Sequence, residues 1–184
     1  TTNNAKFEEV QHILGRHGIS VVQEKLEVIE PDFDSLEEVA EHKAKQAFAQ
    51  LQKPVIVDDT GWFFEAYKNF PGVRPKWVFQ TLGYEGILKL LEGKSRKIYA
   101  KTVCCFTDDG KKFHSFSGEL FGKAAEKVLS LEKFNKFYPY NNLFIPDGWD
   151  KPLVDISIAE QSKISHRRKA FDKLAEFLLK IEKK

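Results

Sequence analysis

The chain has 184 residues and a mass of 21.2 kDa, which gives room for one domain or for two lobes of one domain. Hydrophobic residues make up 42% and charged residues 30%, enough to bury a core and too apolar for a disordered chain. The 29 Lys and Arg against 27 Asp and Glu leave a formal charge of +2, which argues against nucleic acid or an anionic membrane as partner, and no apolar run approaches the ~18 residues of a membrane helix.

The alternation of helix-like and strand-like stretches predicts an α/β fold without internal repeats. Asn3 or Asn4 is placed to cap a helix running to about Arg16 and stopped by Gly18, with Phe7, Val10 and Leu14 as its apolar stripe. Residues 19–22 read as a short strand. Ser35 can cap a second helix ending near Leu51 before Pro54. Residues 55–57 read as a short buried strand, with residues 62–64 continuing the apolar signal. Phe70-Pro71-Gly72-Val73 reads as a turn, and residues 75–83 and 84–93 as two short helices. Residues 98–106 and 112–121 read as a hairpin around Asp108-Asp109-Gly110. An aromatic, loop-like stretch follows over residues 132–148. Ser165 is placed to cap a last helix through about Ile181, with Ala170, Leu174, Phe177, Leu178 and Ile181 as its stripe. Cys104 and Cys105 are adjacent and would point to opposite faces of a strand, so no disulfide joins them and a reduced, cytoplasmic chain is expected. No charged and apolar leader pattern opens the sequence.

Several groups can carry chemistry. Thr1, Asn3 and Lys6 sit at a helix N-terminus, where free N–H groups and a cation suit a phosphate. Lys43 falls about 20° from Leu36 on an otherwise apolar helix face, so its ammonium must either snorkel or meet an anion. Asp58-Asp59-Thr60-Gly61 stands at the end of a short strand, where α/β sheets bind ligands, and alternation aims its two carboxylates oppositely. A hard cation such as Mg²⁺ takes one or two such carboxylates together with substrate phosphates. Glu27, Glu30, Asp32 and Asp34 form an acidic stretch in which spacing favours none as a second ligand. Lys76 starts a helix against its dipole, as do His166, Arg167, Arg168 and Lys169 after Ser165, and both hint at an anionic ligand. No Gly-x-Ser-x-Gly elbow, Walker loop or dinucleotide fingerprint is spelled, and the remaining histidines lack metal-ligand spacing.

Taken in order, these runs resemble the inosine triphosphate pyrophosphatase family over nearly the whole chain. The matching runs are Thr1-x-Asn3-x-x-Lys6, Glu30 in its acidic stretch, Lys43-Ala44, Asp58-Asp59-Thr60-Gly61, Pro71-Gly72 with Lys76-Trp77, and Ser165-His166-Arg167. The resemblance implies an α/β fold with a long central mixed sheet, two lobes and a deep cleft. It places residues 1–184 in a single two-lobed domain whose usual first strand, before Thr1, is missing from the sequence. It also implies a homodimer that uses Mg²⁺ to split ITP, dITP or XTP into the monophosphate and pyrophosphate. On that basis Glu30 and Asp59 hold the metal and act in catalysis. Thr1, Asn3, Lys6, Lys43 and Lys76 hold the triphosphate. Tyr138, Asn141, Gln161, Ser165, His166 and Arg167 surround the base. Two positions depart from the family pattern, Asn141 where an Asp is usual and Gln161 where a Lys is common, so altered base selectivity is expected. A nucleotide-binding sensor or scaffold with attenuated turnover is the alternative.

Overall fold

The structure is a computed structural model and describes residues 1, 3–29 and 32–181. The chain folds into two compact units. The first takes Thr1–Thr60, Thr102–Glu119 and the chain from His166 onward, and the second takes Gly61–Lys101 and Leu120–Ser165. Among the described residues the helices are α1 (Asn4–Gly15), α2 (Leu36–Leu51), α3 (Pro75–Leu90), α4 (Ile158–Ile164) and α5 (His166–Ile181). The strands are β1 (Val55–Phe64), β2 (Phe70–Gly72), β3 (Lys97–Thr107), β4 (His114–Ala124) and β5 (Phe144–Pro146). They form one sheet in the order β2-β1-β3-β4-β5, with β2 antiparallel to β1 and β5 antiparallel to β4. No described helix is long and apolar enough to cross a membrane.

In the first unit the sequence signals act as expected at the helix starts. The Asn3 side chain accepts from the Lys6 N–H at 3.2 Å and the Ser35 hydroxyl from the Glu38 N–H at 3.2 Å, each satisfying an orphan donor of the first turn. Ile13 and Leu14 of α1 pack with Ala170, Phe171, Leu174 and Ala175 of α5 around Cys104 and Phe106 of β3. Ile56 of β1 and Phe116 of β4 join the same cluster. These strand residues share one parity, so within the first unit the even-numbered positions of β1, β3 and β4 face α1 and α5. Gly118 belongs to that face. A Cβ there would lie 2.2 Å from the His166 carbonyl oxygen and 2.6 Å from Lys169 Cβ, so the absent side chain lets the start of α5 lie directly on β4.

Three local expectations fail here. Residues 19–22 form no strand. The Ile19 N–H instead donates to the Leu14 carbonyl at 3.1 Å where α1 ends, and farther along the Gln46 amide pairs with both the N–H and the carbonyl of Ile29 at 2.9 and 2.7 Å while Gln50 Nε2 donates to the Glu27 carbonyl at 3.1 Å. These amides take the backbone groups a ladder would otherwise use. Asp58 and Asp59 lie in the middle of a ten-residue β1, not at a strand end. The strand continues because Gly61 lets the Gly72 carbonyl approach to 2.5 Å of where a Cβ would stand. Phe70-Pro71-Gly72 is correspondingly strand β2, in register from Trp62↔Gly72 to Phe64↔Phe70, and not a turn. Pro71 is tolerated because β2 is an edge strand.

The second unit has its own core, including Trp62, Phe64, Ile87, Leu91, Leu143 and Phe144. Helix α3 is two helices joined across Gly83, whose backbone (φ 58°, ψ −167°) is open to glycine alone, as the two-helix reading expected. The aromatic stretch contains strand β5 and short 3₁₀ turns, pinned by the fully buried Asn142. Its amide donates to the carbonyls of Leu129 and Ser130 at 3.0 and 2.7 Å, and its Oδ1 accepts from the Tyr84 hydroxyl at 3.3 Å.

The close passage of α5 over β4 generates a prediction. Gly118→Ala should force the start of α5 away from β4, at a cost of about 1–3 kcal/mol as for overpacking elsewhere. A melting temperature lower by several degrees in differential scanning fluorimetry is expected, and an unchanged melting temperature would show that α5 has slack at this crossing.

Candidate active site

Alternation along β1 separates its two adjacent carboxylates. Asp58 faces α1 and α5, with Ile56 and Thr60. Asp59 points the other way and meets α2, where Lys43 Nζ donates to its Oδ1 at 3.0 Å. Lys43 is the cation on the apolar stripe of α2. Its side chain is 12% exposed, so it meets an anion and does not merely snorkel. On the opposite face Lys6 Nζ approaches Asp58 Oδ2 at 3.4 Å, and Arg167 Nε donates to that same oxygen at 3.2 Å.

Arg167 extends this cluster. Its Nη1 donates to Glu9 Oε2 at 2.5 Å and its Nη2 to Thr60 Oγ1 at 3.2 Å. The hydroxyls of Thr60 and Thr102 are 2.8 Å apart, and Thr102 Oγ1 lies 2.7 Å from His166 Nδ1. A guanidinium can only donate. Thr60 Oγ1 therefore accepts from Arg167, and Thr102 and His166 continue the hydrogen-bonded chain that starts at the guanidinium.

The environments drive the two aspartates apart. Burial would raise the Asp58 pKa, but Lys6 and Arg167 outweigh it and hold the carboxyl well below the usual carboxylate range. Burial also raises Asp59, and Lys43 with Lys6 offsets only part of that effect. A pair of titratable groups pushed in opposite directions is a pattern that acid–base and metal sites use. Burial, then the charges of Arg167 and Lys6, bring the His166 pKa down to about 3.

The structure thus gathers Asn3, Lys6, Lys43, Asp59, His166 and Arg167 in the first unit. Thr1 is there as well, its hydroxyl accepting from the Asn3 N–H at 3.2 Å. Glu30 lies outside the described residues. Lys76, Tyr138, Asn141, Gln161 and Ser165 belong to the second unit. Lys76 is exposed in the first turn of α3. Gln161 spends its amide on the carbonyls of Leu153 and Ile156 at 2.9 and 2.8 Å. Ser165 terminates α4, its N–H donating to the Gln161 carbonyl at 2.9 Å. Sequence reasoning missed Glu9 and Thr102, and gave Thr60 no role beyond its place in the motif. It also missed that Arg167 faces inward, although seven residues before Leu174 is about 20° from it on a helix.

A family model described as the Ham1 family matches residues 1–177. The dITP/XTP pyrophosphatase of Methanopyrus kandleri is 41% identical over 178 residues, covering 96% of this chain and 93% of that protein. The dITP/XTP pyrophosphatase of Thermococcus kodakarensis is 38% identical over 179 residues, covering 97% and 94%. The solved structure of the Staphylococcus aureus Ham1 protein superposes with a TM-score of 0.78 at 23% identity, covering 97% of this chain and 95% of that one, which shows a shared fold.

The buried histidine makes stability depend on pH. A base whose folded pKa is about 3 against an ordinary 6.5 binds fewer protons in the folded state, so stability falls as pH drops through that window. One such group contributes a slope of about 1.4 kcal/mol per pH unit. Between pH 6.5 and pH 4, thermal melts of His166→Gln should show a shallower pH dependence than wild type. Parallel curves would show that His166 is not a source of the acid sensitivity.

Proposed function

The chain belongs to the Ham1 family, and from that premise and the geometry around β1 we propose that it hydrolyses the triphosphates of non-standard purines, ITP, dITP and XTP, to the monophosphate and pyrophosphate. The single observation that carries the reading is the pair of inward carboxylates on opposite faces of β1, each held by a lysine from a different helix. Lysines paired to aspartates at 3.0–3.4 Å are already placed to exchange one anion for another when phosphates arrive.

In the reaction, water attacks phosphorus, the bridging bond between the α- and β-phosphoryl groups breaks, and pyrophosphate leaves with the electron pair. The water proton passes to Asp59, whose raised pKa makes it a better base than Asp58. Lys6 and Lys43 offset the charge that builds on the leaving group, so positioning and electrostatics carry most of the rate. Asn3, already accepting at the α1 N-cap, keeps the first turn of that helix in place.

The donor set suits Mg²⁺. Asp59 is a largely buried oxygen donor whose ionised form lacks full compensation, and a cation beside it supplies what Lys43 does not. Asp59 would hold the ion, with Glu30 as the second carboxylate that the resemblance implies and substrate phosphates as further oxygen donors. When bound, the cation neutralises phosphate charge and lowers the pKa of coordinated water. On the base side, Tyr138 supplies a stacking face and Asn141 an edge-reading amide. An amide offers a donor where a carboxylate only accepts, so selectivity against ordinary purines should be weaker than with Asp at this position.

Two experiments test the reading. Incubation with Mg²⁺ and a panel of ITP, dITP, XTP, GTP and ATP should release pyrophosphate, fastest from the first three; nucleotide binding without pyrophosphate would favour a sensor. Asp59→Asn should lower kcat by at least ~100-fold with an unchanged circular dichroism spectrum, and activity within a few-fold of wild type would remove Asp59 from the mechanism.

A further inference from the structure

The short 3₁₀ turn Pro139–Asn142 carries Asn141 and is held at both ends from within the second unit. Tyr140 and Asn142 are buried, while Asn141 between them stays half-exposed. Tyr140 stacks on Trp62 with ring centroids 5.1 Å apart, and its hydroxyl donates to the Pro75 carbonyl at 3.0 Å. Asn142 spends both amide protons on the carbonyls of Leu129 and Ser130, and its own carbonyl accepts from the Leu129 N–H at 3.0 Å. The last tie is Tyr84, the first residue after the break in α3 at Gly83. Its hydroxyl lies 2.7 Å from the Pro139 carbonyl and 3.3 Å from Asn142 Oδ1, so its one proton is shared between the two ends of the turn. Burial pushes this phenol up to about 12, which keeps the proton in place at neutral pH. Phe79 and Phe134 meet the Tyr84 ring edge to face at 4.9 and 6.3 Å and fix its direction.

We propose that Tyr84 and Asn142 are positioning residues for base selectivity: by clamping the two ends of the turn they hold the Asn141 amide in one orientation toward the purine edge. The proposal rests on the reading of Asn141 as a base-reading group. The physical need for a clamp lies in the amide itself. Its two ends are nearly alike in shape and differ only in that one accepts and the other donates. An amide on a mobile turn satisfies a purine that presents a donor as easily as one that presents an acceptor, and rejects neither. Held still, it leaves a mismatched edge unpaired, and that penalty is what discriminates. The clamp and the turn it holds belong to the second unit, whereas Lys6 and Lys43, assigned to the triphosphate, belong to the first. Loosening the clamp should therefore alter the choice of base and leave the grip on phosphates as it was.

Tyr84→Phe removes the hydroxyl and keeps the ring against Phe79 and Phe134. Asn142→Asp keeps an acceptor for Tyr84 but donates at most once, and only when protonated, and it serves if the first variant does not fold. Each change is made in the wild-type chain and in Asn141→Ala, with thermal melting to confirm folding. Calorimetry gives the affinities for IMP, AMP and inorganic tripolyphosphate in the presence of Mg²⁺, and kinetics give kcat/KM for ITP and ATP. In the wild-type background the IMP to AMP affinity ratio and the ITP to ATP ratio of kcat/KM should both move toward one by about fivefold, the equivalent of one neutral hydrogen bond. Tripolyphosphate affinity should not change, and in the Asn141→Ala background the same substitution should leave both ratios unaltered, because the clamp acts through Asn141. A lower melting temperature with unchanged ratios would overturn the proposal and leave a packing role. Ratios that shift equally in both backgrounds, tripolyphosphate affinity that falls in step, or equal affinity of the wild type for IMP and AMP would overturn it as well. If wild type released no pyrophosphate from any nucleotide, the functional reading would fail, while the IMP and AMP affinities in the two backgrounds would still decide the role of Tyr84 and Asn142.

Discussion

One carboxylate oxygen holds the first unit in register. Asp58 Oδ2 accepts from a lysine of α1 and an arginine of α5, and Asp58 stands in the middle of the strand between them. A buried carboxylate without partners would be protonated or would disrupt the core; with two cations it stays ionised, and both helices must keep their distance and rotation to satisfy it. The apolar contacts of α1 and α5 around Cys104 and Phe106 supply the burial. They do not specify rotation closely, since apolar contacts are not directional. The ion contacts supply what packing leaves loose.

That division of labour explains how Asp58 and Asp59, neighbours in sequence, come to differ. Alternation puts them on opposite faces, and the number of cations on each face does the rest: two against Asp58, one in direct contact with Asp59. The more heavily paired carboxylate ties two helices to the strand, and the less compensated one is the group to which the proposed mechanism gives the chemistry.

Much of this was legible beforehand, and the reasons are local. Capping residues placed the starts of α1 and α2, glycine and aspartate placed the β3–β4 hairpin, and a charged residue on an apolar helix stripe marked Lys43. The ordered motifs pointed to the carboxylate pair and the lysines. What stayed hidden depends on partners far away in the chain. Glu9 looks like any acid on a solvated helix until Arg167, 158 residues later, comes beside it. Thr102 is a polar residue in an apolar strand, and its role appears only with Thr60 and His166 on either side. The extent of β1 was misread because Asp58-Asp59-Thr60-Gly61 has the composition of a turn, and tertiary pairing overrides composition. The absence of a strand at residues 19–22 has the same origin, since β-rich composition forms no strand without a ladder to join.

The cluster around β1 contains three acids, Glu9, Asp58 and Asp59, and three bases, Lys6, Lys43 and Arg167. Its formal charge is zero, and most of its members are too deeply placed for solvent to absorb an imbalance. Change at these positions is therefore strongly epistatic: replacing Arg167 by a neutral residue takes a cation from both Asp58 and Glu9 and leaves Asp58 with Lys6, whereas losing Glu9 and Arg167 together removes one charge of each sign. Sequence drift through this part of the molecule should proceed by compensated pairs, with the single-substitution intermediates as the barrier between them.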